Sequence, residues 1–203
     1  MKAFLVRGAA AACLMGSIAL LAGCGSGDSS SAPDASTAAS PSQTTTAEPE
    51  ATQADFVAKA DQVCKASEAD LSKLLAESNA AQEEATSPET LASPTLVKKA
   101  SDKVGEITDQ LAETKDEVTD QLAKVDTPDQ KALDKWIAAR RQAADDLREL
   151  ADAWRAFGKA PSQATSDAIT AAQEKQLKSS QADLAIAGED LHLKVCSKRV
   201  QPA

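Results

Sequence analysis

Between residues 56 and 191 the apolar side chains return at alternating steps of three and four, and this spacing constrains the fold more than any other property of the chain. It places every member of a series on one face of an α-helix and excludes the two-residue period of a strand. The first series is Phe56, Ala60, Val63, Ser67, Leu71, Leu74 and Ser78. The second runs Val97, Ala100, Val104, Ile107, Leu111, Thr114, Val118, Gln121 and Val125, and the third Leu133, Trp136, Arg140, Ala143, Leu147, Leu150, Trp154 and Phe157. A fourth, Ile169, Ala172, Gln176, Ser180, Leu184, Ala187 and Leu191, is diluted by polar residues. From Thr52 onward Ala, Leu, Gln, Lys, Asp and Glu dominate, Tyr is absent, and Gly105, Gly158 and Gly188 are the only glycines. That is a helix-forming composition.

The punctuation between series agrees with four helices. Thr52 precedes Asp55 by three residues, as in a capping box, and Ser93-Pro94 and Thr127-Pro128 each set a hydroxyl before a proline at a first helical turn. Gly158 followed by Pro161 marks the end of the third helix and the start of the fourth. Connections at residues 126–128 and 158–161 are too short for anything but antiparallel neighbours, whereas 86–93 forms a longer loop. The expected fold is all-α: an antiparallel up-down-up-down four-helix bundle over residues 52–203. The seven-residue repeat in the second and third series also suits an intermolecular coiled coil, which the short turns disfavour.

Residues 1–51 have a different character. Lys2 and Arg7 flank the start of an apolar stretch, residues 8–22, that is shorter than the roughly 20 residues a membrane-spanning helix needs. It closes on Leu21-Ala22-Gly23-Cys24, which resembles the lipobox of bacterial lipoproteins. The resemblance implies a signal peptide over residues 1–23, cleavage before Cys24, and a lipid on the Cys24 thiol and its new amino terminus. Several acyl chains on one residue give stable membrane anchoring. After Cys24, residues 25–51 are almost entirely Ser, Thr, Ala, Pro and Gly, with four acids and no Lys or Arg, so residues 24–51 lack the apolar surface to fold. They read as a disordered tether, reaching about 30 Å as a coil and about 80 Å if stretched.

Loss of the leader removes Lys2 and Arg7 and takes the net charge from -9 to -11. An acidic chain without a basic stripe fits neither nucleic acid nor electrostatic docking on anionic lipid. The expected location is therefore the outer face of the cell membrane, held by lipid alone, with another envelope protein or a glycan as a partner.

Of the four cysteines, Cys13 leaves with the leader and Cys24 carries lipid, so Cys64 and Cys196 remain as a pair. In an exported protein such a pair forms a disulfide. An even number of antiparallel helices brings the start of the first and the end of the fourth to one end of the bundle, which favours this pairing. Cys64 nevertheless lies about 15 Å into its helix, whereas Cys196 lies beyond the fourth. The chain is expected to fold back after Gly188 or His192, with His192 in the left-handed conformation. Ala60-Asp61-Gln62-Val63-Cys64 and Leu191-His192-Leu193-Lys194-Val195-Cys196 are similar to segments of small helical envelope lipoproteins of actinobacteria, with His192 in place of a glycine. That resemblance implies the location and the disulfide, and no activity.

Chemical motifs are sparse. Glu189-Asp190-Leu191-His192 holds one Glu-x-x-His, but di-iron bundles use two and His192 is the sole histidine. No metal, cofactor or catalytic residue is expected. One irregularity stands out: Arg140 occupies an inward position of the third series, level with Ser67, Thr114 and Ser180. Four polar residues in an apolar core are costly unless they bond to each other, to water or to a ligand. One reading is an anion-accepting pocket with Arg140 as its charge and Trp136 as a wall, serving a small-molecule carrier or sensor. The other lays the Arg140 stem on the core and pairs its head with Glu113 or Asp183.

Overall fold

The computed structural model describes residues 52–201. The expected leader, Cys24 and the tether over 24–51 lie outside the described residues.

The described chain is all-α and forms a bundle of four long helices, α1 (Gln53–Ala85), α3 (Pro94–Leu122), α4 (Gln130–Lys159) and α5 (Gln163–Ala185), with a single turn, α2 (Pro88–Leu91), in the loop between α1 and α3. Each start except that of α3 is set by a side-chain hydrogen bond; at α3 the expected cap, Ser93, accepts none, and Pro94 in the first turn starts the helix through its fixed φ. The Thr52 hydroxyl accepts from the Asp55 amide at 3.2 Å, and Ser87 caps α2. At α5 a capping box forms between Ser162 and Thr165. At α4 the cap is Asp129, which accepts from Ala132 N at 2.9 Å, rather than the expected Thr127. Thr127 instead accepts from the Asp129 amide, because the helix begins at Gln130, with Asp129 still in the turn after Pro128.

Consecutive long helices pack side by side in the order α1, α3, α4, α5. α3 and α4 share the most extensive contact, and glycine contributes to it. A Cβ on Gly158 would sit 2.8 Å from Ser101 Cβ. The expected role of Gly158 as the end of its helix is therefore corrected: α4 runs through it to Lys159, and the missing side chain lets α3 approach. Ion pairs from Arg148 to Asp116 and from Arg155 to Asp109 join the same two helices at the surface.

The core follows the predicted series with one shift of phase. Leu133, Trp136, Arg140, Ala143, Leu147, Leu150 and Trp154 of α4 are all buried. On α3 the series holds from Val97 to Leu111, after which Thr114 and Gln121 turn away and Lys115, Val118, Thr119 and Leu122 face the neighbouring helices. The helix keeps its 3.6-residue turn, so a run of 3-4 steps has two continuations past Leu111, and the structure takes the one through Lys115.

α5 gives way to a π-helical turn, Ile186–Asp190, and then to His192 at φ 57°. His192 is the one non-glycine residue with positive φ among those described, and the chain reverses there. Leu193 N closes the turn on Ala187 O at 2.9 Å. The returning strand of chain is received by Asp61 on α1, whose carboxylate accepts from Val195 N at 2.8 Å, Lys194 N at 3.1 Å and Cys196 N at 3.4 Å. Cys64, one turn further along α1, is disulfide-bonded to Cys196, with Cα atoms 5.4 Å apart. Further on, Ser72 donates to Gln201 O at 2.7 Å, so the tail lies along α1 for more than two turns.

Candidate functional site

α1 and α5, the first and last long helices, do not close the bundle. No Cα of one comes within 8 Å of the other. They are linked towards one end by Gln173 Nε2 donating to Gln82 Oε1 at 3.3 Å and towards the other through the disulfide-held tail. Between these two links runs a groove of about 520 Å³, within the range of small-molecule sites. α3 and α4 form its floor, and α1, α5 and the tail its walls.

The polar half of the floor is a buried cluster built by three helices. Arg140 on α4 is 5 % exposed and Asp183 on α5 is 2 % exposed, while the side chain of Lys115 on α3 is 17 % exposed. Asp183 collects the cluster: Oδ1 accepts from Trp136 Nε1 at 2.8 Å, and Oδ2 accepts from Lys115 Nζ at 3.3 Å. Arg140 donates through Nε to Thr119 Oγ1 at 3.2 Å. Its guanidinium carbon sits 5.3 Å from the centre of the Trp136 ring, within cation–π range. One terminal nitrogen stands 3.6 Å from Asp183 Oδ1, in ion-pair range but too far for a hydrogen bond. The fork thus keeps terminal N–H donors that no side chain or carbonyl among the described residues takes, and Arg140 is part of the groove lining.

Among the buried groups of the cluster the charges do not balance, since Lys115 and Arg140 share the one carboxylate of Asp183; Asp116, nearer the surface, adds a weaker pull on Lys115. Burial pushes the Lys115 pKa down; Asp183 pulls it back up, and Arg140 adds to the fall by repulsion. Burial likewise lowers the Arg140 pKa, with Asp183 opposing, and a guanidinium still keeps its proton at neutral pH. Lys65, Lys198 and Arg199 add three more cations at the rim against Glu68, so the groove carries five cations and two carboxylates in a chain of net charge -9.

Towards the Gln82–Gln173 end the lining is apolar, with Leu71, Leu75, Leu111 and Leu147. Leu177 of α5 borders it and is 45 % exposed.

Of the residues singled out from sequence, Arg140, Ser67 and Ser180 do line one recess. Trp136 is wholly buried beneath it and supports Arg140 and Asp183. Thr114 is not in that layer: its hydroxyl donates to Gln110 O at 2.9 Å, and it borders a surface recess with Asp70, Lys73 and Glu113. Lys115 stands in its place. Arg140 pairs with Asp183, and not with Glu113, and it also lines the recess. Lys115 was legible in principle, since Leu111, Lys115, Val118 and Leu122 also step by four, three and four. The basic tail had no periodicity to reveal it.

A second buried carboxylate, Asp146, plays a different part. Burial disfavours its charge, but hydrogen bonds from Ser179, Gln142 and Lys175 outweigh that and hold its carboxyl below the ordinary range. It ties α4 to α5 on the surface side through Lys175 at 3.2 Å. His192 is exposed, and among the described residues no three His, Cys, Asp or Glu side chains converge as metal ligands. No family model, curated protein or solved structure matches this chain.

Proposed function

We propose that this chain is a binding module of the cell envelope rather than an enzyme, held at the outer face of the membrane through lipid on Cys24, and that its groove carries or senses an organic anion. The lipobox residues and the proline-bearing, lysine-free segment behind them support the anchor and the tether. The resemblance of the Ala60–Cys64 and Leu191–Cys196 segments to actinobacterial envelope lipoproteins supports the location.

The observation that carries the binding function is the unbalanced cluster of Arg140 and Lys115 around Asp183, set in the floor of an open groove. A buried surplus of positive charge is costly without a counter-charge. An anion at this place would take the free N–H donors of Arg140 and relieve Lys115 at once.

Titration calorimetry on the full-length Cys24→Ser chain, which carries no lipid, tests this. Octanoate should bind, octylammonium should not, and Arg140→Met should weaken octanoate binding at least tenfold. Equal heats from the two probes would reject an anion site.

A further inference from the structure

Building on the anion site just proposed, we infer that the ligand of the groove is a single-chain amphiphile: an anionic headgroup at Arg140 and Lys115 joined to one acyl chain that lies over Leu71, Leu111 and Leu147.

The groove has two chemical halves in a fixed order along the helices. Its cationic half holds Arg140, Lys115 and the overhanging Lys198 and Arg199 of the tail. Its other half is lined by Leu71, Leu75, Leu111 and Leu147 from three helices, with Leu177 and the uncharged Gln176 of α5 beside them. Leu147 is two turns of α4 beyond Arg140, so the apolar floor extends about 10 Å from the guanidinium along the axis. A small hydrophilic anion would use the first half and leave the second wet. An anion bearing a chain covers both, and it also covers Leu177, a large apolar side chain 45 % exposed at the mouth.

The shape of the groove favours one chain lying lengthwise. The Gln82–Gln173 hydrogen bond and the Cys64–Cys196 disulfide, which holds the tail to α1, bridge the two sides of the groove towards its two ends. The opening is therefore a slot parallel to the helices rather than a round cavity. The headgroup end is the better defined, because the tail is pinned over it by Asp61, the disulfide and Ser72.

The test is a chain-length series on the full-length Cys24→Ser chain: butyrate, octanoate and dodecanoate, with dodecyltrimethylammonium as the cation of the same length. Each buried methylene should raise affinity by roughly two- to fourfold until the slot is filled, so octanoate should exceed butyrate more than tenfold. Leu177→Glu, at an exposed position where the fold tolerates a charge, should weaken dodecanoate at least tenfold and butyrate by a much smaller factor, because only the long chain covers this position. Urea unfolding of that variant should match the parent. Lysophosphatidic acid of equal chain length, titrated in parallel, decides between a phosphate and a carboxylate head within the same chemistry.

Equal affinity for butyrate and dodecanoate, with Arg140→Met still weakening both, would overturn the amphiphile and leave the anion site standing. Equal binding of dodecanoate and dodecyltrimethylammonium would overturn both. A Leu177→Glu chain that binds dodecanoate as the parent does would overturn the placement of the chain.

Discussion

Trp136 Nε1 donates to Asp183 Oδ1 at 2.8 Å, and this bond fixes the one buried carboxylate among the described residues that faces both Arg140 and Lys115. Trp136 is fully buried and cannot swing away, so Asp183 is held at the meeting point of α3, α4 and α5 whether or not the cations are present. The three polar groups are therefore unequal in what their loss does.

Asp183→Asn should be the damaging change. The amide can still accept from Trp136, but two buried cations then face each other without a counter-charge, a situation that costs about 3 kcal/mol. Arg140→Met keeps the volume and leaves Asp183 paired with Lys115 and bonded to Trp136, so its cost should stay within about 1 kcal/mol. Urea unfolding of the two variants against the parent measures the difference. Equal losses would mean that the cluster is held by packing and that its charge is incidental.

Lys115 gives the cluster a pH signature. Its pKa in the folded chain lies below the ordinary 10.5, chiefly through burial. The unfolded chain therefore holds this proton more tightly, and stability contributed at this position rises with pH through the window that ends near 10.5. Lys115→Met abolishes the effect, so the difference between the two proteins reports this position. Urea midpoints at neutral pH and at about pH 9.5 should show the parent gaining on Lys115→Met as pH rises. A gap between the two proteins that stays constant or widens against the parent would refute the assignment.

How far the molecule could be read from its residues depends on what local sequence encodes. Helices α1, α3, α4 and α5 were legible because periodicity and capping are properties of a few consecutive residues. Thr52 caps as read, and every inward position of α4 is at least partly buried. The errors fall where two local solutions compete and packing decides. Thr127 and Asp129 both offer a cap, and only the turn's length selects Asp129. Thr114 and Lys115 both continue a helical stripe, and the groove selects Lys115 because Asp183 lies across from it. Arg140 announced itself as a charge on an apolar face. The gap between α1 and α5 did not, because nothing in either helix states that its partner is missing; the polar dilution of Gln176 and Ser180 was its only trace.

Asp61 offers a last test, one that concerns the tail. Its carboxylate accepts three consecutive amides, from Lys194, Val195 and Cys196, and so stands in for the helix that the tail no longer forms. Cys64 and Cys196 are 9 % and 5 % exposed, which means that a reductant reaches their sulfurs when the tail lifts locally. Asp61→Ala leaves those amides to water or unpaired, at about 1–3 kcal/mol of tail docking. Since about 1.4 kcal/mol is a factor of ten, the opened fraction and the rate of reduction by dithiothreitol should rise by roughly five- to a hundredfold. Asp61→Asn, which keeps one carbonyl acceptor, should fall between. The crosslink itself spans 132 residues, so replacing both cysteines by serine should cost more than either Asp61 variant, up to about 5 kcal/mol on the chain-entropy model. Thiol release followed by a colorimetric reagent distinguishes the cases. Were Asp61→Ala reduced at the parental rate, the disulfide alone would hold the tail, and the Ala60–Cys64 segment would owe its character to the cysteine and not to the acid three residues before it.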